Sequence, residues 1–348
     1  MYQAQLGNQK NITSSIEDYE LIFIMVNYNS KHIIKIIRRL LDSIVEIEKS
    51  IKSKLLIVDN ASNDGSYEEI IEYGKKINLN FEIIRTSKNL GFAQAVNIAW
   101  HYAQRRWIFK FIAIINNDII IIPKNIKLLL KFFEDERIAG VQGTIMQMRS
   151  HDVIDNAGLL IDSLGQTYPV CRGFPIKCSR AYTPSYLSGA FSIYRADVIK
   201  KLGRPFNIRI ESYYDDKYLG LHLWNLGYKL LHIPVIVAYH LGSATYSAIK
   251  TFIKGPRWFE GIIIAETILM KKRFIIYPFL ILYGFIAIFA SLLTKQNYMK
   301  SFAKSIRILF AVNDDINLDK VPKIPLSRAL YLMLFRFFRG VKPTEVIF

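Results

Sequence analysis

LLIVDNASNDGS, Leu55 to Ser66, is an unbroken apolar run that ends at Asp59 in a cluster of turn-forming residues. An apolar run without alternation fits a strand buried on both faces. Ser66 with Glu69 three positions later predicts a capping box, opening a helix through Tyr73. The same unit recurs on either side. Leu21 to Val26 is a second apolar run, and Ile33, Ile36, Leu40, Ile44 and Ile47 follow it at helical spacing. Phe81 to Ile84 predicts a short strand, and Phe92, Val96, Ala99 and Ala103 a helix after Gly91. Phe111 to Ile115 predicts a fourth strand, ending at Asn116-Asn117-Asp118, with a helix from Pro123 to about Glu136. Alternating strands and helices imply an α/β fold with a mostly parallel, Rossmann-like sheet flanked by helices. Such sheets bind ligands beyond the carboxyl ends of their strands. Asn27, Asp59 and Asp118 all stand at those ends.

After Gly140 the pattern is less regular. Val141 to Met146 and Leu159 to Ile161 read as extended, Arg195 to Leu202 and Asp216 to Leu226 as helical. Lys229 to Ala238 reads as a strand running out near His240. The expected layout is a loose tail over 1–18, one globule over 19–250 and a helical region over 251–348. Within the last, Phe274 to Leu293 is a run of 20 residues without a charge, about enough to cross a bilayer core. Lys271, Lys272 and Arg273 flank one end and Lys295 the other. Arg328, Arg336 and Arg339 then lie among Leu332, Leu334, Phe335, Phe337 and Phe338, a mixture suited to a membrane interface. A membrane anchor, a re-entrant hairpin and a buried helical hairpin all fit this stretch.

Of the 348 residues, 51% are hydrophobic and 22% charged, which excludes a disordered or collagen-like chain. The formal charge of +17 calls for an anionic partner: phosphorylated ligands, an acidic membrane surface or nucleic acid. Two cysteines, Cys171 and Cys178, cannot build a disulfide framework, so a reducing compartment is the simplest reading, and their spacing does not decide whether they pair. Residues 1–18 hold no apolar run of signal-peptide length.

The chemistry-bearing residues cluster in four places. Asp59 at a strand end suits either a hydrogen bond to a base or ribose, or the turn chemistry of its Asn, Gly and Ser neighbours. Asp118 could ligate a hard divalent cation that bridges phosphates, with His240 completing the site or serving only the structure. Asp215 and Asp216 precede a helix, where the dipole favours them, and one of them could act as a general base. No G-x-G-x-x-G follows the first strand and no P-loop motif occurs, which counts against dinucleotide oxidoreductases and P-loop enzymes. No paired Cys/His spacing suggests structural zinc.

Taken in order, these segments resemble glycosyltransferase family 2. Val26-Asn27-Tyr28-Asn29, Ile57 to Ser66, Asn89-Leu90-Gly91-Phe92-Ala93, Asn116-Asn117-Asp118, Ser188-Gly189-Ala190, Asp215-Asp216, Gly227-Tyr228-Lys229 and Tyr239-His240 carry the likeness, most of all to the rhamnosyltransferase-like branch. The resemblance implies a GT-A fold and an inverting transfer from a nucleotide-diphospho-sugar, UDP being the expected nucleotide, to a saccharide or lipid-linked acceptor, as in polysaccharide synthesis. It also implies a divalent cofactor, Mn²⁺ or Mg²⁺. By analogy Asn27 and Asp59 contact the nucleoside, and Asn89, Gly91, Asn116 and Asn117 line the nucleotide-sugar site. Asp118 and His240 face the metal, Gly189 and Ala190 border the acceptor, and the Asp215-Asp216 pair carries the base, Asp216 by preference. Tyr218 stands where the family often has another acidic residue, and His222 stands near a family arginine position. A peripheral or anchored place on the cytoplasmic face of a membrane follows from the apolar segment. No nucleic acid is expected as partner, and a homo-oligomer is compatible with the sequence. The competing reading is a non-catalytic basic protein that binds nucleic acid or membrane on the same scaffold.

Overall fold

The structure, a computed structural model, describes residues 3–6, 17–163, 165–175, 180–207, 215–242, 255–267, 276–311 and 316–325. Its first half follows the alternation in the sequence. Strand β1 (Gln3–Leu6) lies at one edge, followed by β2 (Glu17–Asn27), α1 (Ile34–Glu48) and β3 (Ser53–Asp59). Then come α2 (Ser66–Lys76), β4 (Phe81–Arg85), α3 (Phe92–Arg106) and β5 (Trp107–Ile115). Strands β4, β3, β2 and β5 lie side by side in that order, all parallel. The unbroken apolar runs have a direct cause: neighbouring side chains enter different cores. Leu21, Phe23 and Met25 pack with Ile37, Leu40 and Ile44 of α1, while Ile22 and Ile24 pack with Val96 and Ala99 of α3. Each such aliphatic side chain contributes about 1.5–3 kcal/mol on burial.

The second half departs from a purely parallel sheet. After β6 (Ile119–Ile121), the short α4 (Ile126–Lys131) leads to β7 (Ile138–Gln147) and β8 (Ile154–Asn156). A separate two-stranded piece, β9 (Leu159–Ile161) with β10 (Thr167–Pro169), precedes β11 (Phe191–Arg195) and α5 (Ala196–Leu202). Helix α6 (Asp215–Asn225) and β12 (Lys229–His240) follow. Strand β11 inserts antiparallel between β5 and β7, and β12 pairs parallel with β7 but antiparallel with β6. The register sets Phe191 opposite Ile115 and His240 opposite Ile119. It thereby delivers Ala190 beside Asn116 and His240 beside Asp118.

Helix α6 docks tightly on the segment that leads into β11. A Cβ at Gly220 would come within 2.3 Å of the Tyr186 Cβ, so only glycine permits this approach. Among the described residues after β12 are three α-helices, α7 (Pro256–Thr267), α8 (Ile276–Thr294) and α9 (Tyr298–Ala311).

Three local expectations change. Gln3–Leu6, expected in a loose tail, pairs antiparallel with β4 and covers that sheet edge; residues 7–16 lie outside the described residues. Ser66 is not a capping residue, because α2 begins at Ser66 itself, behind Gly65 at φ +84°, and Ser66 N donates to Asp64 Oδ1 at 3.0 Å. The helix expected from Pro123 to Glu136 is a six-residue α4 between two 3₁₀ turns. Cys171 is disulfide-bonded, a pairing that the spacing of the cysteines left open, and Cys178 lies outside the described residues.

Candidate active site

The carboxyl ends of β2 and β3 are tied by one buried network. Asn27 Nδ2 donates to Asp59 Oδ2 at 2.9 Å, to Ser66 Oγ at 3.1 Å and to Ser62 Oγ at 3.2 Å. Asn27 Oδ1 accepts from Ser30 Oγ and, at 3.3 Å, from Asn117 Nδ2, which also donates to Ser30 Oγ at 2.8 Å. Asp59 Oδ1 accepts from Ser62 N at 3.0 Å and lies 3.5 Å from Arg85 Nε. Asn27 and Asp59 are both fully buried. Asp59 Oδ1 is thus engaged within its own loop, and Oδ2 by Asn27 at the end of β2. Sealing these dipoles from water is stable only because each finds a partner.

A second set shapes the loop before α3. Asn60 Nδ2 donates to Asn89 Oδ1 at 3.0 Å and to the Gly91 carbonyl at 3.2 Å, while Asn60 Oδ1 accepts from Leu90 N at 2.9 Å. Asn89 Oδ1 also accepts from Gly91 N at 2.9 Å. Gly91 sits at φ +84°, a conformation that disfavours other residues.

Asp118 begins a different arrangement. Its Oδ1 lies 3.1 Å from His240 Nε2, and His240 Nδ1 lies 2.7 Å from Asp155 Oδ2. Arg172 Nη2 stands 3.7 Å from the other Asp155 oxygen. Burial disfavours a charged His240 ring, yet the carboxylates on both sides outweigh it and raise the pKa to about 10. Burial likewise acts to raise Asp155, but its bond to His240 prevails and lowers it. Among the described residues no group of three or more His, Cys, Asp or Glu side chains is placed to enclose a metal ion. The pair nevertheless fits a divalent cation shared with a substrate. Adjacent ligands at about 2.1 Å from an octahedral ion stand about 3 Å apart, and such ions take one or two protein groups plus substrate phosphates. A carboxylate on the far ring nitrogen is the usual support for a metal-binding histidine.

The acidic pair opens α6. Asp216 Oδ2 accepts from Gly189 N at 3.0 Å and its Oδ1 from Lys217 N at 2.8 Å. Asp215 is buried, with an Oδ2 that has no partner among the described residues. Burial raises both pKa values, and the Asp216 charge raises that of Asp215 further. Asp216 is the more accessible of the two. A Cβ at Gly189 would lie an ordinary 3.6 Å from Asp216 Oδ2, so glycine leaves room there rather than relieving a clash. Lys217 turns away, its Nζ donating to the Gly165 carbonyl at 2.5 Å.

One backbone bond links these parts: Asn116 N donates to the Ala190 carbonyl at 3.0 Å. Asn27, Asp59, Asn116, Asn117, Asp118, Gly189, Ala190, Asp216 and His240 therefore share one edge of the sheet. Asn89 and Gly91 join it through Asn60. The sequence reading missed Asp155, Arg172, Ser30, Ser62 and Gln142. Gln142, fully buried, accepts from Ser188 N at 2.6 Å and donates to Asn156 at 2.9 Å, which holds the segment before Gly189. Ser62 lies within the Ile57–Ser66 stretch but had no role read for it there; the other four have no periodic or motif signal and are found only through their partners.

The Glycosyl transferase family 2 profile matches residues 22–203. An uncharacterised protein of Methanocaldococcus jannaschii is 26% identical over 238 residues, covering 67% of this chain and 95% of its own. Among solved structures, a mannosyltransferase from Pyrobaculum calidifontis with GDP-Man and Mn²⁺ superposes at TM-score 0.51 and 15% identity, covering 97% of this chain and 87% of the other. GalNAc-T7 with UDP, GalNAc and Mn²⁺ gives TM-score 0.56 at 13% identity, covering 93% and 59%. Staphylococcus aureus TarS 1–349 with UDP-GlcNAc gives 0.51 at 15%, covering 87% and 82%. The match spans 40% of a longer TarS chain. These structural likenesses establish a shared GT-A fold.

Proposed function

The chain belongs to glycosyltransferase family 2, and from that premise we propose that it moves a sugar from a nucleotide-diphospho-sugar to a hydroxyl of a saccharide or lipid-linked acceptor, with inversion. The observation that carries this reading is the meeting of Asp118, His240, Gly189 and Asp216 on one sheet edge, joined through the Asn116–Ala190 bond. Asn27 and Asp59 hold the loop beside which the nucleoside lies, and Asn60 holds Asn89 and Gly91 on its other flank. Asn117 connects that network to Asp118, its chain neighbour.

Asp216 acts as general base. Its carboxylate takes the proton of the acceptor hydroxyl as that oxygen bonds to the anomeric carbon. The bond from this carbon to the diphosphate breaks, and its electron pair leaves with the diphosphate. The two backbone N–H groups on Asp216 fix its orientation, and Gly189 leaves space for the acceptor sugar. A raised pKa suits the role, because a base that retains proton affinity removes a proton more effectively. Asp118 and His240 would hold Mn²⁺ or Mg²⁺, and a divalent ion held there would supply positive charge to offset that of the departing diphosphate; the mannosyltransferase and GalNAc-T7 structures contain Mn²⁺. Holding both substrates at one rigid edge contributes through proximity. The surplus of positive charge draws phosphorylated donors toward the protein.

A thermal-shift screen of nucleotide-diphospho-sugars with and without Mn²⁺ or Mg²⁺ tests this reading. One donor stabilising the protein only with metal is the expected outcome. Uniform indifference to every donor and metal, together with tight oligonucleotide binding, would favour the non-catalytic alternative.

A further inference from the structure

Helix α8 leaves a long apolar face uncovered. Ile281, Phe285, Ile288, Phe289, Leu292 and Leu293 recur at helical spacing and are exposed, Phe285 by 67% and Leu292 by 75%. No charged residue interrupts the 19-residue helix, which is about 28 Å long at 1.5 Å per residue. Its other side packs against the protein. Ala287 and Ala290 meet Phe259 of α7. Ile276 meets Leu309 near the far end of α9, and Ser291 Oγ accepts from Tyr298 N at the near end. Helix α9 therefore runs back along the whole length of α8.

That pairing decides how α8 can meet a bilayer. Helix α9 carries Lys300, Lys304 and Arg307, and Lys304 pairs with Glu260 of α7 at 2.8 Å. Were α8 to stand across a membrane, these charges would be drawn into the hydrocarbon beside it, where they are strongly disfavoured. Laid flat, α8 buries its exposed stripe at the boundary of the acyl chains while α7 and α9 remain on the watery side. Exposed Lys295 and Lys300 then rim the stripe at headgroup level. The uncharged stripe offers no hydrogen-bonding group to register a protein partner, and protein interfaces ordinarily carry about ten such bonds. The exposed cations and the net charge of +17 instead complement anionic headgroups.

We propose that α8 is an in-plane anchor to anionic bilayers and that it sets the height of the catalytic edge above them. Tyr218, two residues past Asp216 on α6, packs with Ile264 of α7 and Ile308 of α9. The helix that opens with the acidic pair thus rests on the two helices that back the anchor. Resting on the proposed function, this geometry selects a membrane-held acceptor, a lipid-linked saccharide, over a freely diffusing one.

The full chain is sedimented with phosphatidylcholine vesicles and with mixed phosphatidylcholine–phosphatidylglycerol vesicles. Stronger, salt-sensitive binding to the anionic vesicles is expected. The exposed double substitution Phe285→Glu and Phe289→Glu should weaken it at least about tenfold while the circular dichroism spectrum is unchanged. Nitroxides are placed on Ile281→Cys, Phe285→Cys, Ile288→Cys and Leu292→Cys; no described cysteine is free to compete for the label. Equal depths along the stripe are expected. A profile deepest at position 285 and shallow at both ends would overturn the in-plane mode. Absence of vesicle binding, or a dimer that the Glu substitutions dissolve, would overturn the anchor itself. Neither readout depends on turnover, so failure here is separable from failure of the transferase reading.

Discussion

The two halves of the sheet edge use polar residues in opposite ways. At the ends of β2 and β3, every polar atom of Asn27 and Asp59 is engaged by a neighbour from the same edge. At the ends of β5, β12 and α6, acidic groups stand with capacity to spare. Asp215 has a buried oxygen without a partner among the described residues, and Asp118 and His240 face each other at the separation of two ligands on one ion. The first arrangement fixes a shape. The second keeps charge and proton affinity available to a substrate, at a cost in stability that the packed sheet beneath it offsets.

The contrast can be broken from either side. Asp216→Asn removes the proton acceptor but retains the side-chain shape, its single oxygen still able to accept one of the two backbone N–H bonds. Turnover should fall by roughly 10²–10⁴, the usual worth of a general base, with donor binding retained. Near-normal turnover would exclude Asp216. Asp155→Asn leaves His240 without its carboxylate support, and metal affinity measured by titration calorimetry should weaken about 10–100-fold. An unchanged affinity would mean that Asp155 serves only packing.

On the closed half, Asn27→Ala strands Asp59, Ser30 and Asn117 without their shared partner. Chemical denaturation should report a loss of about 1–3 kcal/mol, because buried polar groups left unpaired bear their full desolvation cost. A neutral result would mean that the network is not structural.

The smallest effect concerns pH. Burial raises the pKa values of Asp215 and Asp216, so the folded state holds protons that the unfolded chain has already released. Stability from this pair therefore falls as pH rises from the ordinary aspartate range, near 3.9, toward the raised folded values. Asp215→Asn should flatten that slope in denaturation curves taken across the window while keeping most activity. Turnover of the wild type should fall as pH drops through the raised pKa of Asp216.

Much of this was legible in the sequence where one physical signal dominated. The buried runs at Leu21–Val26 and Leu55–Val58 became β2 and β3 because burial on both faces leaves no polar alternation to misread. The positions of Asn27, Asp59 and Asp118 followed from strand direction alone. Ser66 was misread as a cap because its local pattern is that of a capping box; the hydroxyl instead serves Asn27, 39 residues away in the chain. The antiparallel insertion of β11 between β5 and β7 left no periodic trace, since β11 is only five residues long and its neighbours are distant in sequence. Asp155 and Arg172 were invisible for the same reason: their significance lies in a partner, His240, that arrives on the last strand of the sheet.

The most direct test compares metal-dependent stabilisation by the nucleotide-diphospho-sugar in two variants. With donor and Mn²⁺ at a hundredfold excess over the dissociation constant, wild type should gain about 2.7 kcal/mol. Asp216→Asn should keep that gain and lose turnover, whereas Asp118→Asn should lose the metal-dependent part of the gain. Equal stabilisation of wild type and Asp118→Asn by donor and metal would contradict a shared site at this edge.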